Sequence, residues 1–128
     1  MLERLKILSD NDVIDTDIYD VSVMLHNSIM AEKGFVKTEA YTVAMTHLAM
    51  AMHRVKNGDV VAEMDEAIVS DLKSQSCFEE VEAVVHDIVG QFEFEVPLSE
   101  IQYLWLHFLN IYSEKGGCNE ESSRRGTN

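Results

Sequence analysis

The stretch TEAYTVAMTHLAMAMHRVKNG, residues 38–58, predicts one amphipathic helix and carries two of the five histidines, His47 and His53. Within it, apolar residues recur at alternating spacings of four and three, which is the period of a helix with one buried face. These residues are Tyr41, Met45, Leu48, Met52 and Val55. Thr38 is a favourable N-cap residue, and Gly58 suits the position just after a helix ends.

His47 lies on the edge of this apolar face. At about 100° per residue, Arg54 returns to nearly the same direction two turns later, whereas His53 points well away. A histidine in this position has two interpretations. It is either a core histidine with one nitrogen hydrogen-bonded, or a reachable imidazole with a cation nearby. The helix pattern alone leaves both open.

A second decisive stretch, PLSEIQYLWLHFLNIY at residues 97–112, carries His107 in its middle. Apolar side chains surround this predicted helix on almost every side, which indicates a central rather than a peripheral helix. His107 is therefore embedded in the most hydrophobic helix of the chain. His26 and His86 lie off the apolar faces of their predicted helices, and we expect both on the surface.

Three further helical patterns lie between residues 16 and 33, 60 and 74, and 76 and 92, separated by short breaks. The fold class expected is all-α, a compact five-helix bundle with antiparallel helix pairs, because short connections favour antiparallel neighbours. We expect residues 1–15 to form an irregular or partly helical lead-in and residues 16–113 the helical domain. The polar residues 114–128 predict a disordered tail.

The charge balance restricts the partners. Ten basic against 23 acidic residues give a net charge of −13, and no basic patch appears, so direct nucleic-acid binding is disfavoured. No apolar run is long enough for membrane insertion, and no signal peptide is visible, so a cytoplasmic location is expected. Cys77 and Cys118 have no metal-ligand spacing and form no redox motif.

The two histidine helices resemble those of the PTS regulation domain (PRD), a module of bacterial antiterminators and activators controlled by the sugar phosphotransferase system. The first family pattern is matched by His47-Leu48, Arg54 and the exit Lys56-Asn57-Gly58. The second is matched by Pro97 and by EIQYLWLH at residues 100–107. The resemblance extends over roughly residues 16–112.

The resemblance implies that His47 and His107 are phosphoacceptors. The donor would be the histidine-phosphocarrier protein or a sugar-specific Enzyme II component. Family members are dimers in which phosphorylation shifts the subunit interface and the activity of an attached nucleic-acid-binding domain. No such domain is visible here, so we expect a stand-alone domain that acts on transcription through a partner chain. The pattern assigns no role to His53.

Phosphorylation adds up to about two negative charges, and Arg54 is the nearest candidate to stabilise a phosphoryl group near His47. Two other classes compete with this interpretation. One is an acidic helical dimerisation or interaction module without phosphorylation. The other is a metal-binding or hydrolytic protein, which is disfavoured because the sequence has no HExxH motif. No nucleophile elbow, phosphate loop or cofactor motif is visible, so neither an enzyme nor a cofactor is expected.

Overall fold

The computed structural model describes residues 1–117, which form six α-helices and no strand. The helices are α1 (Leu2–Asp10), α2 (Thr16–Leu25), α3 (Ala40–Lys56), α4 (Glu66–Ser74), α5 (Phe78–Val89) and α6 (Leu98–Glu114). A π-helical turn at His26–Met30 extends α2, and a 3-10 turn at Phe35–Lys37 precedes α3. The all-α prediction is confirmed, but the described residues contain one α-helix more than the five expected.

The additional helix is α1, within the predicted lead-in. It packs against α2 and α3, and its Leu5 is fully buried together with Ile14 in the following loop. Its other side chains are exposed or partly exposed, and Ile7 points to solvent. A helix with a single fully buried residue shows little apolar periodicity, which is why the sequence predicted only an irregular or partly helical segment there.

Helices α3 and α6 run in opposite directions. The amide of Ala40, at the start of α3, donates to Glu114 Oε2 at the end of α6 (2.7 Å). His47 lies seven residues after Ala40, and His107 lies seven residues before Glu114. These two histidines are also in contact. Arg54 then meets Glu100 after another seven residues on each helix. The antiparallel arrangement of the other helices stays a prediction.

The core is built mainly where α6 packs against α3 and α5. Its fully buried side chains include Met45, Leu48, Met52, Val81, Ile88, Phe108 and Ile111. Phe35, from the 3-10 turn, packs edge-on against the rings of Phe108 and Tyr112. Large buried side chains on both helices fix the distance between α3 and α6, and therefore the distance between the histidines that they carry.

Helix ends differ partly from the sequence-based expectation. Thr38 is not the N-cap of α3; Glu39 holds that position, and the Thr38 hydroxyl donates to the Phe35 carbonyl (2.8 Å). The carboxylate of Glu114 satisfies the first amide of α3 instead and places negative charge at the helix N-terminus. Gly58 follows α3 with φ 80°, the left-handed conformation expected there.

The predicted tail begins within α6, which continues to Glu114. Lys115 Nζ then donates to the Lys33 carbonyl (2.8 Å). Residues 118–128 of that predicted tail lie outside the described residues. Across residues 1–117, none of the helices combines the length and apolar character needed to cross a bilayer.

Candidate functional site

His47 and His107 come from different helices and lie against each other. Their ring centroids are 4.4 Å apart and their planes are inclined by 32°. His47 is exposed, whereas His107 is half-buried. Within residues 1–117, neither ring is engaged in a hydrogen bond with the protein. The structure thus brings together the two histidines singled out in the sequence and leaves their nitrogens uncommitted.

The pair lies in a pocket of about 480 Å³ between α3, α6 and the segment after α3, which we call the histidine pocket. It contains the predicted phosphate-stabilising residue, Arg54. The residues lining it are His47, Ala51, Arg54, Val61, Glu100, Tyr103, Leu104, Leu106 and His107. The small side chain of Ala51 leaves open space between His47 and Arg54, one turn from each.

Arg54 is partly committed to a carboxylate that the sequence analysis did not single out. Its Nη2 lies 3.2 Å from Glu100 Oε1. The Glu100 residue is only 1% exposed, so its charge has little access to water. One polar atom on each side of the pair, Arg54 Nε and Glu100 Oε2, is buried without a hydrogen-bond partner. The ion pair therefore keeps unused hydrogen-bonding capacity at the pocket wall.

Glu100 could have been found from spacing. Arg54 follows His47 by seven residues, and Glu100 precedes His107 by seven. Because the two helices are antiparallel, seven residues forward from His47 and seven residues back from His107 lead to the same end of the helix pair. Contact between the two histidines therefore places Arg54 opposite Glu100, two turns away. The missing information was the direction of α3 relative to α6, which neither helix pattern contains.

The protonation of His107 follows from its position. Burial lowers the pKa of its imidazole below the usual 6.5, and the positive charge of a protonated His47 lowers it further. At neutral pH the uncharged form of the His107 ring is therefore favoured. A neutral imidazole has a nitrogen lone pair available to attack an electrophile.

His53, on the same helix as His47, lies outside the histidine pocket. Its Nδ1 accepts a hydrogen bond from the backbone amide of Asp15, the N-cap residue of α2 (3.2 Å). Its Nε2 lies 3.0 Å from Asn57 Nδ2. Because Nδ1 accepts, a neutral ring carries its proton on Nε2, and the Asn57 amide must present its oxygen to that nitrogen. His53 thus fixes the start of α2 against the end of α3.

The remaining two histidines behave differently from each other. His86 is exposed, as expected. His26 is half-buried rather than on the surface, because its Nδ1 is hydrogen-bonded to the buried hydroxyl of Tyr41. Burial lowers the pKa of His26. Across residues 1–117, no group of three or more His, Cys, Asp and Glu side chains is arranged to hold a metal ion.

Comparison with known families gives a match that includes the residues of this site. The family model described as the PRD domain matches residues 23–111, more than half of the chain and both helices of the histidine pocket. The chain belongs to the PRD domain family. The PRD match contains His47, Arg54, Glu100 and His107. Helix α1 and the first part of α2 precede it.

The chain is also similar to the uncharacterized protein YhfY of Escherichia coli (strain K12). The two are 30% identical over 122 residues, and the alignment spans 94% of this chain and 99% of that protein. The alignment is therefore longer than the PRD match. No solved structure matches the chain significantly.

Proposed function

We propose that this PRD domain is a regulatory phosphoacceptor of the bacterial sugar phosphotransferase system. It is reversibly phosphorylated on His47 and His107 and acts on transcription through a partner chain. The observation that carries the proposal is the contact between two imidazoles with uncommitted nitrogens in a pocket that also contains an arginine. Family membership supports it, because PRD modules are controlled by this system.

The proposed chemistry is phosphoryl transfer between histidines. The donor is the phosphorylated histidine-phosphocarrier protein or an Enzyme II component. Its phosphorus–nitrogen bond breaks while a new one forms to the lone pair of a neutral acceptor ring. The acceptor releases the proton from its other nitrogen, and the donor imidazole takes one up. His47 is the ring that a protein donor reaches first, because it is the more exposed of the two.

The domain acts as an acceptor in this scheme and needs no cofactor or catalytic activity of its own. Arg54 supplies the positive charge for the phosphoryl group by sharing or leaving its contact with Glu100. Up to two new negative charges on a chain with a net charge of −13 then alter the contact between subunits of a homodimer, or between the domain and its partner. The proposed function implies a location in the bacterial cytoplasm.

Incubation with phosphoenolpyruvate, Enzyme I and the histidine-phosphocarrier protein tests the proposal. We expect acid-labile label on the wild-type chain and loss of that label in His47→Ala/His107→Ala. His86→Ala, which changes an exposed histidine on another helix, is the matched control and should label fully. Full labelling of the double variant would refute the site assignment. If neither the phosphocarrier protein nor Enzyme II components label the wild type, the proposed function is wrong.

One observation favours the alternative, an acidic interaction module without phosphorylation. Exposed apolar residues flank the histidine pocket: Val43 and Met50 on the His47 side of α3, and Tyr103 on α6. Such residues suit a subunit or partner interface whether or not the histidines are modified. The alternative predicts that His47→Ala/His107→Ala changes stability or dimerisation, but that its regulatory effect in cells does not depend on phosphotransferase proteins.

A further inference from the structure

The histidine pocket offers two acceptor rings but little positive charge. Among the described residues that line it, Arg54 carries the permanent positive charge and Glu100 a carboxylate in contact with it. The other titratable lining groups are the two imidazoles and the Tyr103 phenol. The fixed charges of the wall therefore nearly cancel before any phosphoryl group arrives.

We infer that the His47–His107 pair accepts one phosphoryl group at a time, and that the unmodified ring becomes the protonated counter-ion of the modified one. This inference rests on the proposed function. It assigns each ring two roles, acceptor or cation, depending on which ring is modified first. The pair then works as one phosphorylation site with two alternative positions.

The contact between the rings supplies the physical reason. With centroids 4.4 Å apart, a phosphoryl group on one ring lies within a few ångströms of the other. A negative charge at that distance favours the protonated form of an imidazole. A protonated imidazole has no nitrogen lone pair, so it cannot attack a second donor. The first modification therefore removes the nucleophile needed for the second.

Electrostatic repulsion between two phosphoryl groups also disfavours modification of both rings. Two phosphoryl groups would bring about four negative charges into a pocket whose arginine already faces Glu100. Two dianions about as far apart as these rings repel strongly even at the dielectric constant of water. The expected penalty on double occupancy is about two to three orders of magnitude. The rings are close enough for a charge on one to act on the other, since a protonated His47 lowers the pKa of His107.

Phosphoramidate provides a test that needs no partner protein. It transfers its phosphoryl group to a neutral imidazole and releases ammonia, so it modifies any reachable histidine. Top-down mass spectrometry with electron-transfer fragmentation then gives the fraction of intact chains modified at each position and at each pair of positions. Independent sites would show a joint occupancy equal to the product of their single occupancies.

For His47 with His107 we expect a joint occupancy at least about tenfold below that product. For His47 with exposed His86, on a different helix, we expect a joint occupancy equal to the product; this pair is the internal control. A His47–His107 joint occupancy equal to the product would overturn the inference. Phosphate on His86 with none on either ring of the pair would instead overturn the proposed function.

Nitrogen-15 NMR of the imidazoles tests the counter-ion role separately. In chains modified on one ring, the other should show the chemical shifts of an imidazolium at a pH where the unmodified protein shows a neutral ring. A ring that stays neutral beside its phosphorylated neighbour would contradict this part of the inference.

Discussion

The histidines on the two sides of α3 differ in whether their ring nitrogens are hydrogen-bonded. On the side facing α2, both nitrogens of His53 are engaged, and Lys56 Nζ lies 3.1 Å from Asp15 Oδ2 and 3.0 Å from Asp17 Oδ2. On the side facing α6, the rings of His47 and His107 touch but have no hydrogen-bond partner within residues 1–117.

The difference shows what separates a structural histidine from an available one on the same helix. Polar groups whose partners are all in place stabilise a junction and leave no capacity for a ligand. On the α6-facing side, the two rings and the unpartnered atoms of Arg54 and Glu100 can still form hydrogen bonds with a ligand. Exposure alone does not make this distinction, since His107 and His53 are both half-buried.

The largest effect on stability is expected on the α6-facing side. Arg54→Met leaves the buried carboxylate of Glu100 without its cation and should lower the free energy of unfolding by about 2 kcal/mol. The loss is smaller than for a fully buried pair because the Arg54 side chain is 39% exposed. Urea unfolding measures it. Arg54→Met/Glu100→Leu should recover most of the stability, and a double variant as unstable as the single one would contradict the ion-pair explanation.

A smaller loss is expected for the histidine on the α2-facing side. His53→Ala removes the acceptor for the Asp15 amide at the start of α2 and should cost about 1–2 kcal/mol in urea unfolding. His47→Ala, on the same helix, should change the free energy of unfolding by no more than about 0.5 kcal/mol, because its ring is exposed. If His47→Ala proved the more destabilising of the two, the contrast between the two sides would be wrong.

Removing the hydrogen bond between His26 and Tyr41 tests whether a hydrogen bond to a histidine ring nitrogen also stabilises the fold at a third histidine. Tyr41→Phe keeps the buried ring and removes the hydroxyl that contacts His26 Nδ1. We expect a loss of about 1 kcal/mol in the free energy of unfolding. Tyr103→Phe, which alters an exposed hydroxyl on α6, is the matched control and should be nearly neutral. If the two substitutions lowered the free energy of unfolding equally, the hydrogen bond would not be the cause of the loss.

The pH dependence of stability sharpens the account of the pocket. The pKa of His107 is lower in the folded protein than its ordinary value of 6.5. The unfolded chain therefore binds the proton first, and the His107 contribution to stability is lost as pH falls below about 6.5 towards the folded-state pKa. NMR titration of His107 measures this pKa directly. His47→Ala should raise the pKa of His107, since the substitution removes a repelling charge and opens the His107 ring to water. An unchanged or lower pKa would contradict the contact between the two rings.

The main part of the site could be predicted from sequence because its signals are local. The apolar periodicity of residues 38–58 and 97–112 predicted α3 and α6, and the spacing of His47 and Arg54 placed both on one face. Whether His47 was reachable depended on the second helix, which a single pattern does not show. The family resemblance, now confirmed, implied that His107 is a second phosphoacceptor, but the contact between its ring and that of His47 came only from the structure.

What the sequence did not predict depends on contacts distant in the chain. The amide of Asp15 meets His53 across 38 residues, and Arg54 meets Glu100 across 46. No periodicity in either helix contains that information. Helix α1 was predicted only as an irregular or partly helical lead-in for a different reason, since Leu5 is its one fully buried residue and gives no repeating pattern.

The most direct test of the account is whether the paired rings are open in the folded protein while His53 is not. Diethyl pyrocarbonate acylates neutral imidazoles with a free nitrogen, and peptide mapping over time gives a rate for each histidine. We predict that His47 reacts at least about tenfold faster than His53 and at a rate similar to that of exposed His86. His107 should react at an intermediate rate. Faster reaction of His53, or protection of both His47 and His107 until the protein unfolds, would contradict the claim that this pair forms the available site.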